Sequence, residues 1–242
     1  IVFGAALDVD AAGRVYVADR GGNAVKIYAP DGSLALRLPV AEPTGVAALP
    51  GGEFAVSSIR AERLISVYDL RGTLVRSFGE LAELADSPDL NRRLNLGYLL
   101  ADAGGNLYYA FEYLPEPTVR KYDLAGYLTN ELSLTTIDFQ GSAQAARREI
   151  ARAKTGAAIL PHEIISAMGI VPDQPDVWLA FGDLLMRLNP DGHPVFSART
   201  FTTAGARLAP RSILVEPDRL LLGSDSLGIY AVVPPSLDAP AR

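Results

Sequence analysis

A stretch of about forty residues recurs along this chain, and the recurrence restricts the fold more than any single motif does. Residues 5–38 read AALDVDAAGRVYVADRGGNAVKIYAPDGSLALRL, and residues 45–78 read GVAALPGGEFAVSSIRAERLISVYDLRGTLVRSF. The two segments have equal length, and Gly32 and Gly72 stand 40 residues apart. A third copy begins at Leu99, a fourth with a shortened middle runs from Met168 to Phe201, and a partial fifth begins at Ser212.

Each copy has the same internal order. A short apolar strand leads into a turn, as at Ala12-Gly13 and Gly104-Gly105. A second strand follows, rich in branched and aromatic residues: Val15-Tyr16-Val17, Phe54-Ala55-Val56, Leu107-Tyr108-Tyr109, Val177-Trp178-Leu179 and Leu220-Leu221-Leu222. Such residues fit a pleated, packed surface. A third strand ends at Tyr28, Tyr68, Tyr122, Leu188 or Tyr230, then a tight Gly turn leads to an outer strand. Four antiparallel strands cannot bury both faces alone. Radial stacking of the copies solves this. A β-sandwich also has many short strands, but it does not impose a fixed period with matched turn chemistry. The expected fold is therefore all-β: a β-propeller of four-stranded antiparallel blades over residues 1–242, with five repeats visible in a five- or six-bladed ring.

The segment Asp8-Val-Asp10-Ala-Ala-Gly13-Arg-Val15-Tyr16-Val17-Ala18-Asp19-Arg-Gly-Gly-Asn23-Ala-Val25-Lys-Ile27-Tyr28-Ala-Pro-Asp31-Gly32 closely resembles an NHL repeat. The second and third copies match less closely, and the last two match mainly at strand positions. The resemblance implies a ring of the six-bladed type. It is specific for fold and weak for function, because family members include enzymes, RNA binders and interaction scaffolds. The last copy lacks an outer strand and ends in a proline-rich tail, and Pro cannot donate to a ladder. Ile1-Val2-Phe3 is the candidate to close the ring from the other terminus.

Two insertions break the period, at residues 80–97 and 135–166. The second predicts a short helix between blades three and four, over 143–154, with Ser142 as N-cap and Gly156 as its stop. Ala146, Ile150 and Ala153 share one face of it, the face expected to pack on the propeller. Both insertions join the fourth strand of one blade to the first of the next. They therefore share an end of the propeller with the loops between second and third strands. That end is elaborated, and the opposite end has only tight turns.

The chain has no cysteine, which excludes disulfides, cysteine–zinc sites and thiol catalysis. A net charge of −6 argues against a nucleic-acid partner. No apolar run is long enough for a transmembrane helix. The first residue is Ile1 rather than Met, which fits a processed, trimmed or excerpted chain, and an exported protein, periplasmic or extracellular, is expected.

The candidate binding residues converge on the elaborated rim: Asp19, Arg20, Asn23, Arg60, Phe111, Glu112, Tyr113, Asp183 and Asp225, with His162 from the insertion. Arg147, Arg148 and Arg152 form a basic helix face that could dock an anionic partner. His193 sits in a turn on the plain side. Two histidines on opposite faces cannot supply the histidine set that the propeller lyases of this family place around a metal. No nucleophile elbow or phosphate-binding glycine loop is present. These features imply a non-catalytic interaction or scaffold propeller that binds a protein through the insertion-bearing face, as a subunit of an extracytoplasmic assembly, with no cofactor. The alternative is a lactonase- or phosphotriesterase-like hydrolase, or a lyase, with a divalent cation such as calcium in the channel. Phe111, Tyr113 and Phe181 would also suit a carbohydrate or another small molecule.

Overall fold

The computed structural model describes residues 1–134, 139–154, 162–171, 174–225 and 228–234. Five antiparallel sheets form the blades of a propeller. Blade 1 contains β1 (Gly4–Val9), β2 (Val15–Asp19), β3 (Ala24–Tyr28) and β4 (Leu34–Pro39). Blade 2 contains β5 (Pro43–Ala48), β6 (Glu53–Ser58), β7 (Ile65–Asp69) and β8 (Leu74–Phe78). Blade 3 contains β9 (Gly97–Ala101), β10 (Leu107–Phe111), β11 (Thr118–Tyr122) and β12 (Leu128–Ser133). Blade 4 contains β13 (Ala167–Ile170), β14 (Val177–Phe181), β15 (Leu184–Leu188) and β16 (Pro194–Arg199). Blade 5 has three strands among the described residues: β17 (Ser212–Val215), β18 (Leu220–Ser224) and β19 (Gly228–Val232).

Strands pair in chain order within every blade, as the repeat requires. The first strand of each blade is innermost: β1 packs on β5, β5 on β9, β9 on β13 and β13 on β17. The fourth strands are outermost, and their side chains alternate between exposed and half-buried. The second strands are the most buried, with every residue of β10 inaccessible. Turns between third and fourth strands use glycine in the left-handed region, with φ of 83° at Gly32 and 96° at Gly126.

The core consists of the seams between blades. Tyr16, Val25 and Ile27 of blade 1 meet Val46, Phe54 and Val56 of blade 2. Ala47, Ala55 and Val67 on the other face of blade 2 meet Leu99, Tyr109 and Phe111 of blade 3. Tyr108, Ala110 and Val119 then meet Met168, Leu179 and Met186 of blade 4. Ala167, Trp178 and Leu185 meet Ile213, Leu220 and Leu222 of blade 5. Each fully buried aliphatic or aromatic side chain contributes on the order of 1.5–3 kcal/mol, so these seams hold the blades together.

Two expectations need correction, and one element is new. The helix of the second insertion, α2, runs Gln140–Lys154, so it begins upstream of Ser142, which lies inside it. Ala143, Ala146 and Ile150 form its buried stripe, and Ala153 is half-buried; Gly156 lies outside the described residues. The first insertion is also partly helical: α1 spans Pro88–Leu94, with Pro88 in its first turn, where proline's fixed φ suits a helix start. Ile1-Val2-Phe3 does not extend blade 5. It folds back on blade 1, where the Gly21 amide donates to the Phe3 carbonyl at 3.2 Å.

Candidate functional site

The loops between second and third strands open on the same end as α1 and α2. Arg147 of α2 pairs with Glu116 in the β10–β11 loop, which fixes the helix over that rim. Phe139, just before α2, packs on Phe181 at 4.3 Å between ring centroids. Arg60 of the β6–β7 loop reaches Glu42 at 2.9 Å and Asp89 of α1 at 3.3 Å. Both insertions are thus tied by charge to the loops they overhang. Arg148 and Arg152 lie on the exposed side of α2.

A set of ionisable groups from several blades gathers at this rim. Glu112 and Tyr113 follow β10, Tyr98 comes from β9, Glu163 from the end of the second insertion, and Arg211 stands just before β17. Arg211 pairs with Glu163 and approaches Asp225 at 3.5 Å. Tyr98 donates to the Ser166 carbonyl at 2.7 Å. The backbone carbonyl of Glu112 accepts from the Ile164 amide at 2.6 Å, which locks the insertion's end to the β10–β11 loop. Arg20, in the β2–β3 loop of blade 1, also acts electrostatically on Glu112. His162, beside Glu163, is half-buried.

Burial pushes the Glu112 carboxyl above its ordinary value, and the negative charge of Glu163 adds to this. The Tyr113 hydroxyl, Arg211 and Arg20 oppose it. Burial and the neighbouring carboxylates also raise Tyr98 and Tyr113. An acid raised in the folded state stabilises the fold fully below its unfolded value, and that stability is lost as pH rises through the folded value. Glu112→Gln should therefore melt at a higher temperature than the parent at pH 7 and at the same temperature near pH 4. Thermal melts at the two pH values check this, and a lower melting temperature for the variant at pH 7 would refute the burial account.

Other rim candidates are committed elsewhere. Asp19 is fully buried and accepts from Lys26 Nζ at 2.6 Å and from the Val2 and Phe3 amides at 2.9 Å. The Lys26 ammonium and these amides hold its carboxyl well below the usual carboxylate range. Asn23 adopts a positive φ of 46°, and its side-chain oxygen accepts from the Glu42 amide at 2.9 Å. It organises a turn, as Asx residues do. Phe111 is not on the rim: strand alternation turns it into the seam between blades 2 and 3, edge-on to Tyr109 at 5.1 Å. It cannot stack on a sugar. Asp183 pairs with Arg199 and lies 3.4 Å from Arg207.

The cluster's other members, Tyr98, Glu163 and Arg211, escape sequence reasoning because they lie 48 to 113 residues apart and meet only when blades 3, 4 and 5 pack side by side. The one local signal is position: Ser166 and Arg211 each directly precede an innermost strand. Among the described residues, no group of three or more His, Cys, Asp or Glu is placed to hold a metal ion. Among them, no helix is long and apolar enough to cross a membrane.

The architecture and its elaborated rim define a β-propeller. No family model and no curated protein matches the chain. Solved structures do. A chain in the crystal structure of a nidogen/laminin complex superposes with a TM-score of 0.64 at 16% identity, over 95% of this chain and 75% of that one. Virginiamycin B lyase from Staphylococcus aureus gives 0.58 at 14% identity, over 97% and 71%. The Cps50 (Swd1) β-propeller domain of Myceliophteria thermophila gives 0.62 at 12%, over 100% and 68%. At these identities the likeness is one of fold.

Proposed function

We propose that this chain is an NHL-type propeller acting as a non-catalytic interaction module, which binds a protein partner through the insertion-bearing face. The carrying observation is the rim itself. Helices α1 and α2 are pinned by Arg60–Asp89 and Arg147–Glu116 around a mouth lined by Glu112, Tyr113, Glu163 and Arg211. Among the described residues, the opposite end offers only short turns. A half-buried carboxyl kept at a cost in stability marks a place where binding, rather than folding, sets the residue. Glu112, Glu163 and Asp225 outnumber Arg20 and Arg211 there, so a basic side chain from the partner suits the mouth. That a chain of this fold occurs in a nidogen/laminin complex supports a protein-binding use of such a scaffold.

Site-specific photocrosslinking in the source cells tests this reading. A crosslinker at Arg148 or Tyr113 should capture a discrete partner, and one at Asp31 or His193, in the turns of the opposite end, should not. Glu163→Lys should weaken capture through the mouth. Capture from the turn side alone, or a stoichiometric divalent metal found by elemental analysis together with lactonase or phosphoesterase activity, would overturn it in favour of channel chemistry.

A further inference from the structure

The four seams are not filled alike at the turn-bearing end. Phe54 and Tyr68 of blade 2 pair across β6 and β7 and pack on blade 1. The same register gives Leu107 and Tyr122 in blade 3, and Val177 and Leu188 in blade 4. A pair of touching rings fills three of the seams here: Tyr16–Phe54 at 5.7 Å, Phe78–Tyr122 at 5.3 Å and Trp178–Phe196 at 5.3 Å. The seam between blades 3 and 4 has its ring pair at the rim instead, in Phe139 and Phe181. At its other end Tyr108 faces the aliphatic Val177 and Leu188.

The opposing wall differs as well. In blade 1 the cross-strand row is Tyr16, Ile27 and Leu36, all packed in the seam. In blade 3 the same row is Tyr108, Lys121 and Asn130. A cation thus stands where blade 1 buries an isoleucine. Arg187 holds this position in blade 4, but it is matched by Asp176. Lys121 lies over the Tyr108 ring, with its ammonium 5.0 Å from the centroid, and makes no ion pair among the described residues. Asp102, which accepts from the Tyr108 hydroxyl at 3.4 Å, is itself held by the Asn106 amide and side chain at 2.9 and 2.8 Å.

The lost ring and the added cation border one cavity of about 250 Å³. Val119, Leu132, Val177 and Pro190 give it apolar walls, and Lys121 and Asn130 stand among them. Asn130 spans the seam, donating from its side chain to the Pro190 carbonyl at 2.7 Å. Thr129 lies at the exposed lip.

We propose that this cavity binds a small aromatic carboxylate, whose ring takes the space left by the missing side chain and whose charge meets the Lys121 ammonium. A cavity of about 150 Å³ already admits benzene, so this one holds a single ring with short substituents. It falls below the roughly 300–1,000 Å³ of sites for drug-sized ligands, which excludes larger molecules. An anion is required because a half-buried ammonium with no carboxylate partner gains a charge-assisted hydrogen bond from one. The site lies at the other end of the propeller from the mouth of Glu112 and Arg211, and does not depend on it.

Ligand-observed NMR titration of the 242-residue chain with 4-hydroxybenzoate tests the proposal. Saturable binding is expected. Two controls, 4-methylphenol for the ring without the charge and acetate for the charge without the ring, should each bind about tenfold more weakly or worse. Lys121→Met keeps the chain's length and should weaken 4-hydroxybenzoate by about tenfold while leaving 4-methylphenol unchanged. Val177→Phe restores the ring that blade 2 carries as Phe54. It should block binding and melt no lower than the parent. Thr129→Tyr closes the lip from an exposed position and gives a second block that spares the core of the seam. The proposal is overturned by absence of saturable binding to the parent, by equal affinity in Lys121→Met, by acetate matching 4-hydroxybenzoate, or by undiminished binding to folded Val177→Phe or Thr129→Tyr.

Discussion

Phe54→Ala is expected to lower stability by about 3–5 kcal/mol, the usual range for emptying a buried aromatic site. Phe54 is fully buried on β6, between Tyr16 of blade 1 at 5.7 Å and Tyr68 of its own blade at 5.8 Å. The truncation opens a void at the centre of the first seam, and two paired sheets cannot collapse to fill it without losing register. For a chain of this size that cost corresponds to a fall in melting temperature of roughly 6–20 °C. Val15 occupies the equivalent position in blade 1, where no blade precedes it, and it is only half-buried. Val15→Ala should cost under about 1 kcal/mol, as partly exposed sites do. Urea unfolding of both variants checks the pair. Equal costs would show that the seams, as described, are not where the blades gain their stability.

That contrast bears on how much the sequence discloses. The blades are legible because each carries its own turn chemistry and strand composition, repeated at a near-constant spacing. Gly32, Gly72, Gly126 and Gly192 all take the positive φ that their turns demand. The placement of α2 was legible too, from its position after a fourth strand. Its start was not, because Phe139 anchors the helix through Phe181, which is 42 residues away. Helix α1 has too few apolar positions to announce itself, and it depends on Asn91 and Asn95 to cap the incoming segment at Leu84 and Ala82.

The site was legible by loop and not by residue. Loop membership groups Arg20, Glu112, Tyr113 and Asp225 at one end of the propeller. It also swept in Phe111, whose strand alternation points it into a seam, and Asp19, whose carboxylate is consumed by the backbone of Val2 and Phe3. Alternation could have flagged Phe111, since Leu107, Tyr109 and Phe111 share a face of β10. Nothing local could have flagged Asp19, because its partners arrive from the chain's first residues. Arg211 and Glu163 are separated by 48 residues, so their pairing depends on the closure of blade 5 against blade 4.

The same dependence makes Arg187→Ala the second large effect, at about 3–5 kcal/mol, as expected when one partner of a buried ion pair is removed. Arg187 lies on β15 in register with Trp178 and Phe196, facing blade 5, and is buried. Its Nε donates to Asp176 at 2.8 Å, and a terminal nitrogen donates to the Gln174 side-chain oxygen at 2.6 Å. The guanidinium thus ties the β13–β14 turn to the sheet. Truncation leaves the mostly buried Asp176 carboxylate without its cation, and the cost of that stranded charge exceeds any packing loss. Arg187→Met combined with Asp176→Leu removes both charges and keeps apolar volume. The double variant should recover most of the loss, because replacing a whole buried pair by apolar residues is close to neutral. Chemical denaturation of the single and double variants measures the coupling. If Arg187→Ala alone costs under about 1 kcal/mol, Asp176 finds water in its place and the pair is not what holds blade 4 to its turn. If the double variant is as unstable as the single, the guanidinium acts through Gln174 and the packing against Trp178 rather than through the charge.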